Sequence, residues 1–112
     1  MKRTLLILVL AFGLIWGSTA CTAESIARDA IRYYFPVRYE KALAVATCES
    51  GLRADAISPG GANWGLFQIN RVHEGRVRSL GYTWSQMLDP YVNTRVALSI
   101  YKESGWAPWA CG

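Results

Sequence analysis

Apolar side chains recur at helical spacing along most of the chain. A first amphipathic helix is predicted by four of them at positions i, i+4, i+7 and i+8, namely Ile26, Ala30, Tyr33 and Tyr34. Pro36 ends that helix and is suited to open the next one at its first turn. The second helix carries Leu43, Val45 and Ala46. It is predicted to run to Ser50, with Gly51 as its C-terminal stop.

The second half of the chain alternates turn-rich and apolar stretches. Residues 53–63 form a predicted loop, and residues 64–70 a short strand or extended turn. A short helix is predicted over residues 71–80. Asp89, followed by proline, is a predicted N-cap for a last helix that stops near Gly105. The chain is therefore interpreted as one small, mainly α domain with a minor β element after the second helix.

The N-terminal segment is typical of a secretory signal. Residues 1–3 are a basic start, residues 5–16 an apolar run, and residues 17–20 a small-residue exit. The run is shorter than the roughly 20 residues that span a membrane, although an uncleaved anchor stays open. We predict a signal peptide over residues 1–20 and a domain over residues 23–112, hence a secreted or cell-envelope protein.

The net charge of the chain is small and indicates no particular partner. The chain has 12 basic and 8 acidic residues, so its formal net charge is +4. Removing residues 1–20 takes away Lys2 and Arg3 and leaves +2. Because the remaining cations form no cluster, nucleic acid is not predicted as a partner. His73 is the only histidine and is interpreted as a surface residue.

The three cysteines suggest an oxidising compartment. Cys48 and Cys111 lie inside the predicted domain and are its natural disulfide pair. Closing a loop of about 64 residues would stabilise the fold by roughly 4 kcal/mol. Cys21 ends the signal, so its lipidation and membrane attachment are one possibility, and cleavage after Ala20 or Ala23 is the other. Scattered cysteines and one histidine give no metal-ligand spacing, and no metal or cofactor is predicted.

Glu49 is the candidate for chemistry. It lies in the last turn of an apolar helix, where the partial negative charge of the helix end disfavours an ionised carboxylate. Burial against apolar neighbours acts in the same direction. Both effects favour the protonated carboxyl group that a general acid at neutral pH requires. The alternative is a solvated residue at a helix end.

Four motifs in order carry a resemblance to a known family. They are Glu49-Ser50, Ser58-Pro59-Gly60-Gly61-Ala62, Gly65-Leu66-Phe67-Gln68-Ile69 and Asp89-Pro90-Tyr91-Val92-Asn93. Together they resemble the lysozyme superfamily, most closely the soluble lytic transglycosylase domains, over about residues 38–111. Relative to the commonest spacing in transglycosylases, this chain has one extra residue between Ala62 and Gly65. Asn93 is interpreted as a brace for the last helix.

The resemblance implies roles for individual residues. Glu49 matches the family's catalytic acid/base. Ser58 matches a serine that contacts the N-acetyl group or the acid, and its alternative is a turn residue. Gln68 matches a glutamine that binds sugar, and its alternative is a buried bracing amide. Asn70 stands where transglycosylases often have a methionine, and Tyr101 matches a cleft tyrosine, with core packing as the alternative.

A second carboxylate decides the mechanism, because glycosidases generally use two. Residues 63–70 also resemble chicken-type lysozyme, and in that frame Asn63 stands where the nucleophilic aspartate is found. One carboxylate suffices for a lytic transglycosylase, which would cleave the β-1,4 MurNAc–GlcNAc bond of peptidoglycan and leave a 1,6-anhydro end. The alternatives are a hydrolytic muramidase that uses Glu49 with Asp55, and a non-catalytic wall-binding or assembly protein.

Overall fold

Residues 21–112 are described by the computed structural model of the protein, and the predicted signal peptide lies outside them. The order of elements in this part of the chain is α1 (Ala23–Tyr34), α2 (Tyr39–Ser50), β1 (Asn63–Trp64), β2 (Ile69–Asn70), a first 3₁₀ helix (Arg71–His73), α3 (Glu74–Ser79), a second 3₁₀ helix (Trp84–Leu88) and α4 (Pro90–Ser104). The prediction of a mainly α domain with a minor β element is confirmed.

The first two helices begin and end largely as the sequence indicates. The side chains of Thr22 and Ser25 form a capping box at the start of α1. Pro36 does not open α2, which begins three residues later at Tyr39. The intervening residues reverse the chain after Phe35, whose N–H still closes the last turn of α1 on Ile31. Gly51 ends α2 with a φ of 65°, a left-handed conformation that glycine adopts at little cost.

The β element is a two-stranded antiparallel hairpin. Asn63 pairs with Asn70, and Trp64 pairs with Ile69. Gly65 follows β1 with a φ of 81°, and a Cβ at this position would collide with the Met87 carbonyl oxygen. The Gly-Leu-x-Gln-Ile motif therefore begins with glycine because the backbone of a neighbouring segment leaves no room for a side chain.

Asn93 joins the hairpin to α4. Its side chain is fully buried. Its Oδ1 accepts from the Phe67 N–H at 2.8 Å, and its Nδ2 donates to the carbonyl oxygens of Trp64 at 2.9 Å and Met87 at 2.8 Å. The prediction that Asn93 is a brace is confirmed, although it braces the hairpin and the second 3₁₀ helix against α4.

The start of α4 is also capped as predicted. The Asp89 carboxylate accepts from the backbone N–H groups of Tyr91 and Val92, and Pro90 occupies the first helical position.

The predicted helix over residues 71–80 is replaced by the first 3₁₀ helix followed by the six-residue α3. The Asn70 side chain caps the first 3₁₀ helix by accepting the Val72 N–H.

An aromatic core holds the C-terminal segment. Phe67 is fully buried, and its ring lies 6.1 Å from the Trp109 ring and 5.9 Å from the Phe35 ring. Trp106 packs against Trp109 at 5.6 Å and Tyr101 at 4.5 Å. The last residues of the chain are thus folded back onto the core, as the cluster of tryptophans indicates.

Cys48 and Cys111 form the expected disulfide, which joins the end of α2 to the C-terminus. Cys21 is free and exposed. Within residues 21–112, every helix is too short or too polar to cross a membrane.

Candidate active site

A cavity of about 360 Å³ opens where the end of α2 meets the hairpin and the C-terminal segment. Its lining combines one carboxylate, three amides, one imidazole and an apolar surface, and consists of Glu49, Asn63, Gln68, Ile69, Asn70, Val72, His73, Ile100, Pro108, Trp109 and Ala110. Three of the residues singled out from the sequence, Glu49, Gln68 and Asn70, are brought together here.

Glu49 lies next to the disulfide and is held by the segment that the disulfide anchors. It is half-buried in the last turn of α2. Its Oε2 accepts the backbone N–H of Cys111 at 3.3 Å, and Cys48 precedes it in the chain. Within the described residues Oε1 accepts no hydrogen bond, so one oxygen of the carboxyl group is oriented by the protein and the other has no protein donor.

Ser50, which follows Glu49 in the chain, connects the end of α2 to the hairpin loop. Its hydroxyl is buried and donates to the Leu66 carbonyl oxygen at 2.7 Å. This bond ties the end of α2 to the hairpin loop, so the Glu-Ser pair fixes where the carboxyl group lies relative to the amides of the hairpin.

Two of the three amides are hydrogen-bonded to each other, and the third is held by the backbone. Asn70 Nδ2 donates to Asn63 Oδ1 at 2.9 Å, across the directly paired positions of the hairpin. Gln68 has a φ of 48°, and its Nε2 donates to the carbonyl oxygens of Ala56 and Gly65, both at 3.0 Å. Gln68 therefore braces the loop, as its alternative interpretation states, and it also lines the cavity, whereas its binding of sugar stays a prediction.

Trp109 supplies the apolar side of the cavity. Its side chain is 7% exposed, and its indole N–H donates to the Phe67 carbonyl oxygen at 2.9 Å. Ile69 and Ile100 line the same side. The sequence analysis did not assign Trp109 to the site, although the predicted disulfide was a usable signal, because pairing Cys111 with Cys48 brings residues 108–110 beside Glu49.

His73 was placed at the surface by the sequence analysis, and this is corrected by the structure. It ends the first 3₁₀ helix, half-buried, and lines the cavity with Glu49. Burial lowers the pKa of His73 from its ordinary value of 6.5, and the Arg76 guanidinium lowers it further, whereas Glu103 opposes them. The pattern along the sequence could not reveal this, because the capped turn at Asn70 sets the direction of the chain.

Ser58 and Tyr101 lie outside the cavity lining. The Ser58 hydroxyl accepts the Asn63 N–H at 3.0 Å and so closes the turn before β1. Tyr101 packs edge-on against Phe35 at 5.8 Å, within the aromatic core. Both positions agree with the structural alternatives given above.

Asp55, the candidate second acid, is also separate from the cavity lining. It is exposed and borders a different depression, beside Leu52 and Leu88. Among the residues that line the cavity around Glu49, no other side chain is a carboxylate. No group of three or more metal-ligating side chains occurs in residues 21–112.

Comparison with known families identifies the fold. The model of the lysozyme-like domain family matches residues 35–111, so the chain belongs to this family. No curated protein and no solved structure matches the chain significantly. Membership implies a glycosidase-type fold that acts on peptidoglycan. Together with the disulfide, it indicates an extracellular or cell-envelope location.

Proposed function

We propose that this protein is a peptidoglycan lytic transglycosylase in which Glu49 is the single acid/base. The observation that carries the proposal is the composition of the cavity, in which one carboxyl group lies among three amides and an apolar surface. Asn63 is an amide at the position that resembles the nucleophilic aspartate of chicken-type lysozyme, and an amide cannot act as that nucleophile.

The reaction needs one group that first gives and then takes a proton. Glu49 protonates the oxygen of the β-1,4 bond between MurNAc and GlcNAc, and the bond to C1 of MurNAc breaks. The substrate's N-acetyl group stabilises the positive charge that develops at C1. The Glu49 carboxylate then takes the proton of the MurNAc 6-hydroxyl, whose oxygen attacks C1. The product is a 1,6-anhydro end, and no water is added, an exception to the use of paired carboxylates.

The contacts of Glu49 support this role. The Cys111 N–H orients one oxygen of its carboxyl group and leaves the other for the substrate. Trp109 and Ile100 make the adjoining surface apolar, which limits the access of water to the reacting atoms. Gln68 and Asn70 are proposed to bind the sugar, because both line the cavity and carry amide groups that match its hydroxyl and N-acetyl substituents.

Two other functions remain alternatives. A hydrolytic muramidase would need a second acid such as Asp55. Asp55 is exposed and borders another depression, which argues against its acting together with Glu49. A non-catalytic wall-binding protein would use the same cavity without cleavage.

The test is mass spectrometry of the soluble fragments that the oxidised protein releases from purified peptidoglycan. Anhydro-ended fragments that fall at least about a hundredfold with Glu49→Gln would support the proposal. Glu40→Gln is the matched control, because Glu40 is exposed on the same helix and outside the cavity. Fragments one water heavier that disappear with Asp55→Asn would establish the muramidase, and folded protein that binds without cleavage would establish the binding protein.

We further propose export by a signal peptide over residues 1–20, and lipidation of Cys21 as one form of the mature protein. Support comes from the exposed thiol of Cys21, which lies just before α1. The intact mass of the protein from the envelope distinguishes a chain that begins at a diacylated Cys21 from one with an unmodified N-terminus.

A further inference from the structure

The cavity around Glu49 also contains the imidazole of His73. His73 is carried by the first 3₁₀ helix, whereas Glu49 ends α2, so two separate elements bring them to one cavity. The proposed reaction uses only Glu49 and leaves His73 without a role.

The surroundings of the His73 ring favour its uncharged form, mainly through burial. The positive charge of Arg76 on α3 acts in the same direction, and its guanidinium is held by Glu103 at 2.7 Å and the Ser99 hydroxyl at 2.9 Å, both on α4. Burial and Arg76 lower the pKa of His73. A neutral imidazole offers one N–H donor and one nitrogen acceptor, the combination that sugar hydroxyl and N-acetyl groups complement.

The surroundings of His73 favour a neutral ligand. Val72, beside it in the lining, is 82% exposed, an apolar side chain left open to solvent next to an imidazole. Asn63 and Asn70 add amides to the same lining, which contains no lysine or arginine to attract an anion. Apolar surface combined with a few polar groups suits a sugar ring, which has both apolar faces and polar edges.

We propose that His73 is a substrate-binding residue whose uncharged imidazole contacts a neutral N-acetylhexosamine unit of the glycan, and that protonation of the ring weakens this contact. The inference rests on the proposed function, because it takes the cavity to be the glycan site.

The sign of the pH dependence follows from desolvation. A neutral sugar that covers the ring removes water from it and therefore disfavours its charged form further. Binding must then lower the pKa of His73, and by linkage the affinity must fall as the pH drops through the range in which the free ring becomes protonated. Contact with a carboxylate of the substrate would reverse both signs.

The experiment uses the Glu49→Gln variant, in which the proposed acid is absent and cleavage is prevented, with the N-acetylglucosamine tetrasaccharide as the probe. Because His73 is the only histidine, its ring signals in NMR spectra are unambiguous and can be followed between about pH 5 and 8. We expect the tetrasaccharide to lower the pKa of His73 and its affinity to be about threefold to tenfold weaker at the acid end.

Two further variants on the Glu49→Gln background isolate the role of His73. His73→Gln keeps a hydrogen-bonding side chain but cannot titrate, so it should abolish the pH dependence. Glu74→Gln is the matched control, because Glu74 is the next residue, lies outside the cavity lining and should leave the pH dependence unchanged.

The result that overturns the inference is a shift of the Trp109 indole signal on binding while the pKa of His73 stays unchanged or rises. In that case the glycan site stands and the role of His73 fails. If the tetrasaccharide shifts neither signal, both the inference and the assignment of this cavity as a glycan site fail.

Discussion

The hairpin and the C-terminal segment line the same cavity, but different interactions hold them. The hairpin is fixed by hydrogen bonds between the side-chain amides of Asn93, Gln68 and Asn70 and nearby backbone groups and side chains. The C-terminal segment is fixed by the disulfide, by the packing of Trp106 and Trp109, and by one indole hydrogen bond. The hairpin owes its position to a dense polar network, and the C-terminal segment owes its position to a covalent bond and aromatic contacts.

This difference affects Glu49 directly. Ser50 ties the helix that carries Glu49 to the hairpin, whereas Cys111 donates a hydrogen bond to the carboxylate itself. Loss of the hairpin contacts should therefore cost mainly stability. Loss of the C-terminal contacts should cost stability and also the orientation of the acid.

Removal of the disulfide is expected to have the largest effect. The double variant Cys48→Ala/Cys111→Ala should lose about 4 kcal/mol of unfolding free energy, because the unfolded chain regains the entropy of a long open loop. Denaturant unfolding measures the loss. Cys21→Ser is the matched control, since Cys21 is free and exposed.

The same double variant also tests the orientation of Glu49. At a temperature where it is still folded, its cleavage of peptidoglycan should remain below that of the wild type. Equal activity of the two folded proteins would show that the Cys111 N–H does not position the acid.

Truncation of Asn93 should have the next largest effect. Asn93→Ala removes the hydrogen bonds to the Phe67 N–H and to the carbonyl oxygens of Trp64 and Met87, and should cost about 3 kcal/mol in denaturant unfolding. Thr94→Val is the comparison, because the adjacent Thr94 is equally buried but bonds only to Pro90 within α4. Its loss should be about 1 kcal/mol, and equal losses would refute the bracing role of Asn93.

Trp109→Phe should have the smallest effect of the three. It retains most of the ring packing but loses the hydrogen bond to Phe67, so the free energy of unfolding should fall by about 1–2 kcal/mol. Trp106→Phe is the comparison, because Trp106 belongs to the same aromatic cluster. Its indole N–H forms no hydrogen bond within residues 21–112, so this variant loses ring area alone. A loss in Trp106→Phe as large as that in Trp109→Phe would assign the effect to ring area alone.

The sequence predicts the elements well where the signals are local. The capping of α4 by Asp89, the stop of α2 at Gly51 and the short β element after it follow from side chains that act within a few residues. The start of α2 was misplaced, because Pro36 is compatible with a first helical turn while the reversal after Phe35 prevents one there. In place of the helix predicted over residues 71–80, a 3₁₀ helix that the Asn70 side chain caps is followed by the short α3.

The residues of the candidate site also differ in how far the sequence alone could predict them. Glu49, Gln68 and Asn70 belong to motifs that resemble a known family, and the sequence brings them forward without any structure. His73 and Trp109 belong to no motif, and they join the cavity only because the capped turn and the disulfide bring their segments to Glu49. Ser58 and Tyr101, which the resemblance also brings forward, are used in the turn and the core.

By itself, the sequence determined the helical class, the disulfide pair and the lysozyme-like family, and it supplied Glu49 at the end of α2 as the proposed acid, because each depends on residue type and short spacing. The tertiary structure alone decided which side chains share the cavity with that acid. It excluded Asp55 from the lining and admitted His73, because the direction in which each loop leaves its helix or strand is set by long-range contacts of Asn93, Trp109 and Cys111.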